Sequence, residues 1–413
     1  MLRRLVATWG NSDFGRLGHV SLNQGGVDTP RLVGGLLNVN ATQVATGGAH
    51  TAVVAGDGSL YTFGLNDHGQ LGHSSDEGAF CEEPREVLIP EAVVAVTCGH
   101  YHTLALAESG TIWAFGKNSD GQLGLGKKGA SAVVHPAPVR ALQGAPIVEV
   151  CAGAEHSLAR TAEGELFSWG ASANGRLGHG TESLFLSWHQ SNKTPRLVRA
   201  LRGTKLTSLA AGHTCSGVVD DAGCAYTMGY GRFWQLGFGH DRDQPTPEQV
   251  PNLSGVAQLA MGGLQSIAVK RGGPVMVWGG NEHGCLGHGQ PGRAERAPVM
   301  LPKLTVASAS AGWQHSAAVG GNGELLTWGW GGSAGDQSAY DGRGACGGQL
   351  GLGNDFDYWT PTAVSELHIR GRALQQFVEG YDARFMFASV ACGFNHTAAV
   401  VEVPAAEVEA SAD

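Results

Sequence analysis

The feature of this sequence that most restricts its fold is a unit of roughly fifty residues that recurs seven times. Each copy holds a strand-like segment closing on glycine, from Ala-Thr-Trp-Gly and Tyr-Thr-Phe-Gly to Leu-Thr-Trp-Gly, at Gly10, Gly64, Gly116, Gly170, Gly229, Gly279 and Gly329. In six copies a Leu-Gly pair follows, ending at Gly18, Gly72, Gly124, Gly178, Gly237 and Gly287; the seventh reaches Leu350-Gly351 only after an insertion. A second series runs through the same copies. It is a G-x-x-H turn at His50, His102, His156, His315 and His396, with Cys215 and Gln265 in the equivalent places, and the next residue is always Ser or Thr. Length alone would suggest two or three domains for 413 residues, but a repeat lets one ring keep growing.

Each unit reads as four strands. A short apolar strand such as Gln43-Val44-Ala45-Thr46 leads into the G-x-x-H turn, and an alternating strand such as His50-Thr-Ala-Val-Val54 leaves it. The chain then reverses at a two-residue turn of the Asp57-Gly58 or Asn322-Gly323 kind and returns through the aromatic strand that closes on glycine. The last strand opens with Pro30, Pro84, Pro138, Pro195, Pro247, Pro298 or Pro361; proline cannot donate to a ladder, so this strand belongs at a sheet edge. The expected fold is all-β: a single closed seven-bladed β-propeller with four antiparallel strands per blade. The last copy lacks its third and fourth strands, and Leu5 to Gly10 and Pro30 to Val33 supply them from the other end. The N-terminal strands therefore latch the C-terminal blade, and a cleaved leader beginning at Met1-Leu2-Arg3-Arg4 is not expected, since its loss would delete a latch strand. The propeller is assigned to 1–401, with insertions at 181–193, 330–347 and 366–388, and an acidic tail at 402–413 is expected to be disordered. Within the third insertion, Arg372 to Gly380 reads as a short amphipathic helix.

Charge and cysteine usage narrow the function. A net charge of −9 without a Lys/Arg-rich run disfavours direct nucleic-acid binding, and no apolar stretch is long enough to span a bilayer as a helix. None of the eight cysteines forms a C-x-x-C pair, and Cys98, Cys151 and Cys392 fall in apolar strands, as buried reduced thiols would. The G-x-x-H histidines, one per blade, stand too far apart to share a metal, and the glycine-rich insertion 330–347, with Tyr340, Asp341 and Arg343, lacks the Gly-Lys-Ser/Thr ending of a phosphate loop. No metal, cofactor or catalytic group is expected.

With the Trp-Gly strand end, the Gln-Leu-Gly-x-Gly loop of Gly121 to Gly126 and the G-x-x-H-[ST] turn, the chain resembles the regulator of chromosome condensation repeat family over nearly its whole length. The resemblance implies the propeller. It implies no single activity, because the family includes a Ran exchange factor, a plant UV-B photoreceptor, ubiquitin-ligase modules, and mitochondrial or ciliary assembly parts.

Function is therefore sought in loop tips. The turn between strands one and two and the loop between strands three and four emerge on one face, and in the family, as the resemblance implies, that face presents acidic residues and a histidine to a GTPase, or Trp-Arg pairs in the photoreceptor. Here the two x residues are Gly48-Ala49, His100-Tyr101, Ala154-Glu155, His213-Thr214, Gly263-Leu264, Trp313-Gln314 and Phe394-Asn395. One carboxylate, Glu155, with His100 and His213 is a thin supply for an exchange factor, and Trp313-Gln314 lacks the arginine of a photoreceptor pair. The aromatic and polar set of His100, Tyr101, Trp313, Gln314, Phe394 and Asn395 either forms an interaction surface or fills the mouth of the central funnel. Phe185 and Trp188, in the first insertion, either fold back on the blade or anchor a partner, and the partner anchor is the favoured reading. The expected function is a non-enzymatic protein-interaction scaffold within a larger assembly, with a Ran-like GTPase exchange factor as the alternative and a UV-B-type sensor behind it. The expected location is cytoplasmic or nuclear, with a cytoskeletal or ciliary assembly as an option and a mitochondrial one ranked below it.

Overall fold

The computed structural model describes residues 2–20, 26–74, 79–126, 130–180, 191–332, 347–376 and 384–409. Six four-stranded sheets and one six-stranded sheet are arranged as blades around an axis. We number the blades from the first complete one. Blade 1 runs Ala41–Thr46, His50–Ala55, Leu60–Leu65 and Phe80–Val87. Blades 2 to 6 repeat that order, and blade 7 joins the two ends of the chain. Seven apolar clusters fill the seams, each built from the facing sides of two neighbouring blades; Val44, Val53 and Phe63 of blade 1, for example, meet Val6 and Val400 of blade 7. A blade alone would leave both faces of its sheet wet, so the seams are what make the ring stable.

The expected latch is present. Leu2–Asn11 pairs antiparallel with His396–Pro404, from Leu2↔Pro404 to Gly10↔His396, and Gly26–Leu32 lies outside it. Leu5, Val6, Ala7 and Trp9 are buried at this joint.

Two glycines of the repeat are dictated by close approach. The one that ends each third strand has φ between +102° and +115°, and a Cβ on Gly64 would lie 2.6 Å from the Cα of His50. The first glycine of every G-x-x-H turn faces the next blade. A Cβ on any of Gly47, Gly99, Gly153, Gly212, Gly262, Gly312 or Gly393 would come within 2.8 Å of the carbonyl oxygen of the following member of that ring. The pairing of strands three and four shifts just before the strand-three glycine in every blade. In blade 1, Gly64 pairs with Cys81 while Thr62 pairs with Arg85, so the bulged stretch of the outer strand contains Pro84, where no donor is needed.

Four expectations are corrected. The prolines stand inside or at the far end of the outer strands rather than opening them, as Pro84 does in Phe80–Val87 and Pro138 in Ala132–Pro138. The hairpin turns are not two-residue loops: Gly58 N–H donates to the Ala55 carbonyl, and Ala55 pairs with Ser59, leaving glycine in the left-handed position (φ +87°) of a three-residue loop. The helix expected from Arg372 is instead a strand. Glu366–Ile369 and Arg372–Gln375 form a hairpin turned at Arg370 (φ 47°) and Gly371 (φ 85°), which extends blade 7 to six strands. Leu367, Ile369 and Leu374 alternate inward with period two and are buried, while 377–383 lie outside the described residues. The tail is ordered over its first part. Glu402 to Pro404 continue the latch strand, with Arg4 and Glu402 paired at 2.8 Å, and Ala405–Glu409 is a single helical turn that buries Val408.

Candidate functional site

The conserved-looking half of each G-x-x-H-[ST] turn points into the seams. His50 Nε2 meets Thr103 Oγ1 at 3.0 Å, His102 meets Ser157 at 3.1 Å, His156 meets Ser216 at 2.8 Å, His315 meets Thr397 at 2.9 Å and His396 meets Thr51 at 3.1 Å. Each hydroxyl in turn donates to a carbonyl of the Leu-Gly loop in the preceding blade, such as Thr103 to Gln70 and Thr397 to Gln349. The hydroxyl proton being spent there, Nε2 carries the imidazole proton and donates. Burial holds His50, His102 and His315 at about 3, and His156 and His396 well below the usual value, so these rings are neutral. Gln265 spans its seam by donating to the Gly312 and His315 carbonyls. Cys215 makes no such bond to Ser266, whose hydroxyl donates only to Gln235. The relay is therefore broken between blades 4 and 5.

The variable half of the turn faces the mouth of the funnel. His100 of blade 2 stacks on Phe394 of blade 7 at 5.3 Å and on its neighbour Tyr101 at 4.6 Å. Trp313 of blade 6 stacks on Phe394 at 4.9 Å and meets His213 of blade 4 edge-on at 4.5 Å, and His213 meets His100 at 5.7 Å. Four rings from four blades thus close a circuit over the axis. The first x residues of blades 1, 3 and 5 are Gly48, Ala154 and Gly263, and their smallness is what admits the rings. A Cβ on Gly263 would fall 2.5 Å from the Trp313 ring, and one on Gly48 would strike the His100 ring. His100 is 8% exposed and fills the mouth, whereas Tyr101, His213, Trp313 and Phe394 remain half-buried, with ring surface still open. Burial, with the neighbouring imidazole of His213, lowers His100 to about 3; burial and Arg176 lower His213 to about 4.

The flanking polar residues are engaged. Glu155 receives Lys117 Nζ at 2.9 Å; burial works to raise its carboxyl, but that bond and the Lys117 and Arg176 charges hold it below the usual range. Gln314 is half-buried, and its carbonyl accepts from Trp330 N–H. Asn395 is buried, its carbonyl accepts from Asn11 N–H, and its Oδ1 has no hydrogen-bond partner. Phe185 and Trp188 lie outside the described residues.

Sequence reasoning restricted to the x positions missed two arginines on this face. Arg16 and Arg176 replace the glutamine of the Gln-Leu-Gly loop in blades 7 and 3 and are 3% and 6% exposed. Arg16 donates to the Asp13 and Gly48 carbonyls, and Arg176 to that of Ala173. The signal was present as Arg-Leu-Gly against Gln-Leu-Gly. Lys117, just after the strand-closing glycine, was missed likewise; it sits 5.7 Å from the Tyr101 ring centroid.

A closed ring of seven blades, pinned by a glycine collar and an imidazole–hydroxyl relay and carrying its variation on one face, defines a propeller of the regulator of chromosome condensation class. The RCC1-like domain description matches residues 5–399, and the chain belongs to that family. It is 30% identical over 365 residues to the ultraviolet-B receptor UVR8 of Arabidopsis thaliana, covering 87% of this chain and 74% of that protein. It is 31% identical over 324 residues to the human E3 ubiquitin-protein ligase HERC2, where the match covers 76% of this chain but 6% of the ligase. The crystal structure of Prp20p from Saccharomyces cerevisiae superposes with a TM-score of 0.80 at 21% identity, covering 100% of this chain and 94% of that one, a likeness of fold.

Proposed function

We propose that this protein is a non-enzymatic interaction scaffold that binds a protein partner on the loop face of the propeller. The observation that carries this reading is the circuit of His100, His213, Trp313 and Phe394 at the funnel mouth, continued by Tyr101, with four of these five rings half-buried. Half-exposed aromatic rings, held rigid by their neighbours, contribute contact area at little entropic cost. Among the described residues no nucleophile with an adjacent base occurs there: the imidazoles are neutral and stacked, and the free thiols of Cys98 and Cys392, lining the channel beneath, are pushed up to about 12 by burial.

The second reading, nucleotide exchange on a small Ran-like GTPase, has the fold of Prp20p behind it, a protein studied for its binding to Gsp1p and histones. Against it, the one carboxylate of the turns is tied to Lys117, and His100 is sunk into the stack. The test pairs two assays. Release of a fluorescent guanine nucleotide from Ran-type GTPases is expected to be unaffected by the protein; acceleration at substoichiometric amounts would overturn the scaffold reading. Cross-linked partners are expected to be recovered by wild type and by Leu88→Ser, an exposed residue just past the end of the blade 1 outer strand on the opposite face, and lost from the double variant Tyr101→Ser/Trp313→Ser; equal recovery by all three would refute the loop face as the binding surface. We further propose a reducing compartment, cytoplasmic or nuclear, in keeping with free cysteines at every described position.

A further inference from the structure

One loop breaks the rule that its six counterparts obey. In the loop between strands three and four, Gly15, Gly69, Gly121, Gly175, Gly284 and Gly348 all have positive φ, and a Cβ on any of them would come within 2.9 Å of the main chain of the next blade's outer strand. In blade 4 that position is Trp234, at φ 59°. A bulky residue in the left-handed region is an outlier, which Phe14 (φ 60°) in the blade 7 loop shares one position earlier; such strain is held by the surrounding structure and gathers at binding sites. The same seam, between blades 4 and 5, is the one in which Cys215 interrupts the relay. The shared pattern is thus altered at the axis and at the rim of one joint.

What the rim gains is chemistry. Trp234 lies 5.4 Å beneath the guanidinium of Arg296, which belongs to the outer strand of blade 5. Tyr230 and Phe233 stand edge-to-face at 6.0 Å in the same loop. Arg232, Arg242 and Arg296 are exposed, and the Arg242 main chain packs against Gly231. The arginines in salt bridges among the described residues are Arg4, Arg160, Arg293 and Arg372, which leaves these three with none. Asp243 is turned to Gly231 N–H and Asn174, and Glu295 to Arg293, so Asp241 is the remaining acid of the loop. In a chain of net charge −9, three exposed arginines on this loop and the facing strand, one of them over the Trp234 ring, form a basic rim of opposite sign to the whole.

We infer that this rim of the blade 4–5 seam docks an acidic segment of a partner protein, with Trp234 as the apolar anchor and Arg232, Arg242 and Arg296 pairing carboxylates. The inference rests on the reading of the loop face as a protein-binding surface. A peptide suits the rim better than a nucleic acid, because three arginines on an otherwise acidic molecule match a short acidic run and cannot track a phosphate backbone.

The probe is a fluorescein-labelled twelve-residue Glu/Asp peptide with one central Leu and one Phe, followed by anisotropy. Wild type is expected to bind it in a salt-sensitive manner, and Arg232→Glu/Arg296→Glu to weaken binding by at least about tenfold. Trp234→Gly is expected to weaken it roughly fivefold while leaving the melting temperature equal or higher, since it restores the glycine of the other six loops; lost binding then cannot be lost folding. Absence of binding, equal affinity in all variants, or tighter binding of a thymidine oligonucleotide would overturn the inference. Loss of peptide binding in Tyr101→Ser/Trp313→Ser with none in Trp234→Gly would sink it while sparing the loop-face reading.

Discussion

Thr397→Val measures what the imidazole–hydroxyl relay contributes. Thr397 is buried, donates to the Gln349 carbonyl at 2.8 Å and accepts from His315 Nε2 at 2.9 Å. Valine keeps the shape and removes both bonds. The Gln349 carbonyl is still served by Trp9 Nε1 at 3.0 Å, but His315 is left with a buried donor and no acceptor, its Nδ1 already lacking a partner. One lost hydrogen bond at about 1 kcal/mol plus an orphaned donor at about 1–3 kcal/mol gives a cost of roughly 2–4 kcal/mol. Ser266→Ala is the internal control. Ser266 donates to Gln235, whose carbonyl also keeps Trp278 Nε1, and no imidazole leans on it, so the cost is about 1 kcal/mol. Taking roughly 2.1 cal/mol/K of unfolding entropy per residue, 413 residues give about 0.9 kcal/mol/K. The melting temperature should then fall by roughly 2–5 °C for Thr397→Val and about 1 °C for Ser266→Ala. Cys215→His should do the reverse, giving Ser266 the donor it lacks. Differential scanning calorimetry decides it: a Ser266→Ala shift as large as that of Thr397→Val would show that the histidines contribute nothing through their hydroxyls.

Acid should act through the same rings. His50, His102 and His315 titrate near 3 in the fold against about 6.5 unfolded, so the unfolded chain binds more protons in that window, and stability is complete above pH 6.5 and lost as pH falls toward 3. Each such ring removes about 2 kcal/mol at pH 5, so unfolding monitored by tryptophan fluorescence should begin near pH 5, and a chain equally stable at pH 7 and 4.5 would contradict the neutral-imidazole assignment. At the latch, Trp9→Ala should cost roughly 3–5 kcal/mol because the ring is fully buried beside Phe387 and bonded to Gln349, whereas Trp9→Phe, the residue type that blades 1 and 2 carry as Phe63 and Phe115, should cost about 1 kcal/mol by urea denaturation; comparable losses would deny the ring its packing role.

How much was legible depends on whether a residue's reason recurs. The blade count, the strand order and the latch could be read because seven copies of one constraint, the glycine collar and the strand-closing glycine among them, expose any single position to six comparisons. The hairpin of Glu366–Ile369 and Arg372–Gln375 occurs once and was mistaken for a helix, although Arg370-Gly371 between alternating Leu367, Ile369 and Leu374 is a turn signal of period two. The mouth of the funnel was half legible. The x residues could be gathered from the register, but that the small residues of blades 1, 3 and 5 make room for rings from blades 2, 4, 6 and 7 is a fact of packing across the axis. Arg16 and Arg176 stand in the loop between strands three and four, so the register of the G-x-x-H turn alone does not bring them to the mouth. Trp234 was lost because its cost, a positive φ, is invisible until the backbone is.

The division of labour within a single turn explains why such a fold can carry unlike functions. In G-x-x-H-[ST], the glycine is held by the carbonyl of the next blade and the His and hydroxyl by the seams, so a change at any of them weakens a joint. Of the two x residues between them, the half-exposed members, Tyr101, Glu155, His213, Thr214, Trp313, Gln314 and Phe394, can change the loop face without touching a seam, whereas Gly48 and Gly263 are fixed by the rings they admit. Blade 4 shows the converse: with Cys215 at the axis and Trp234 at the rim, one seam has given up two elements of the shared packing. A ring closed by six other seams tolerates that local weakness, because opening one joint also requires the remaining blades to bend. Stability surrendered at a single seam can therefore be exchanged for a surface without loss of closure.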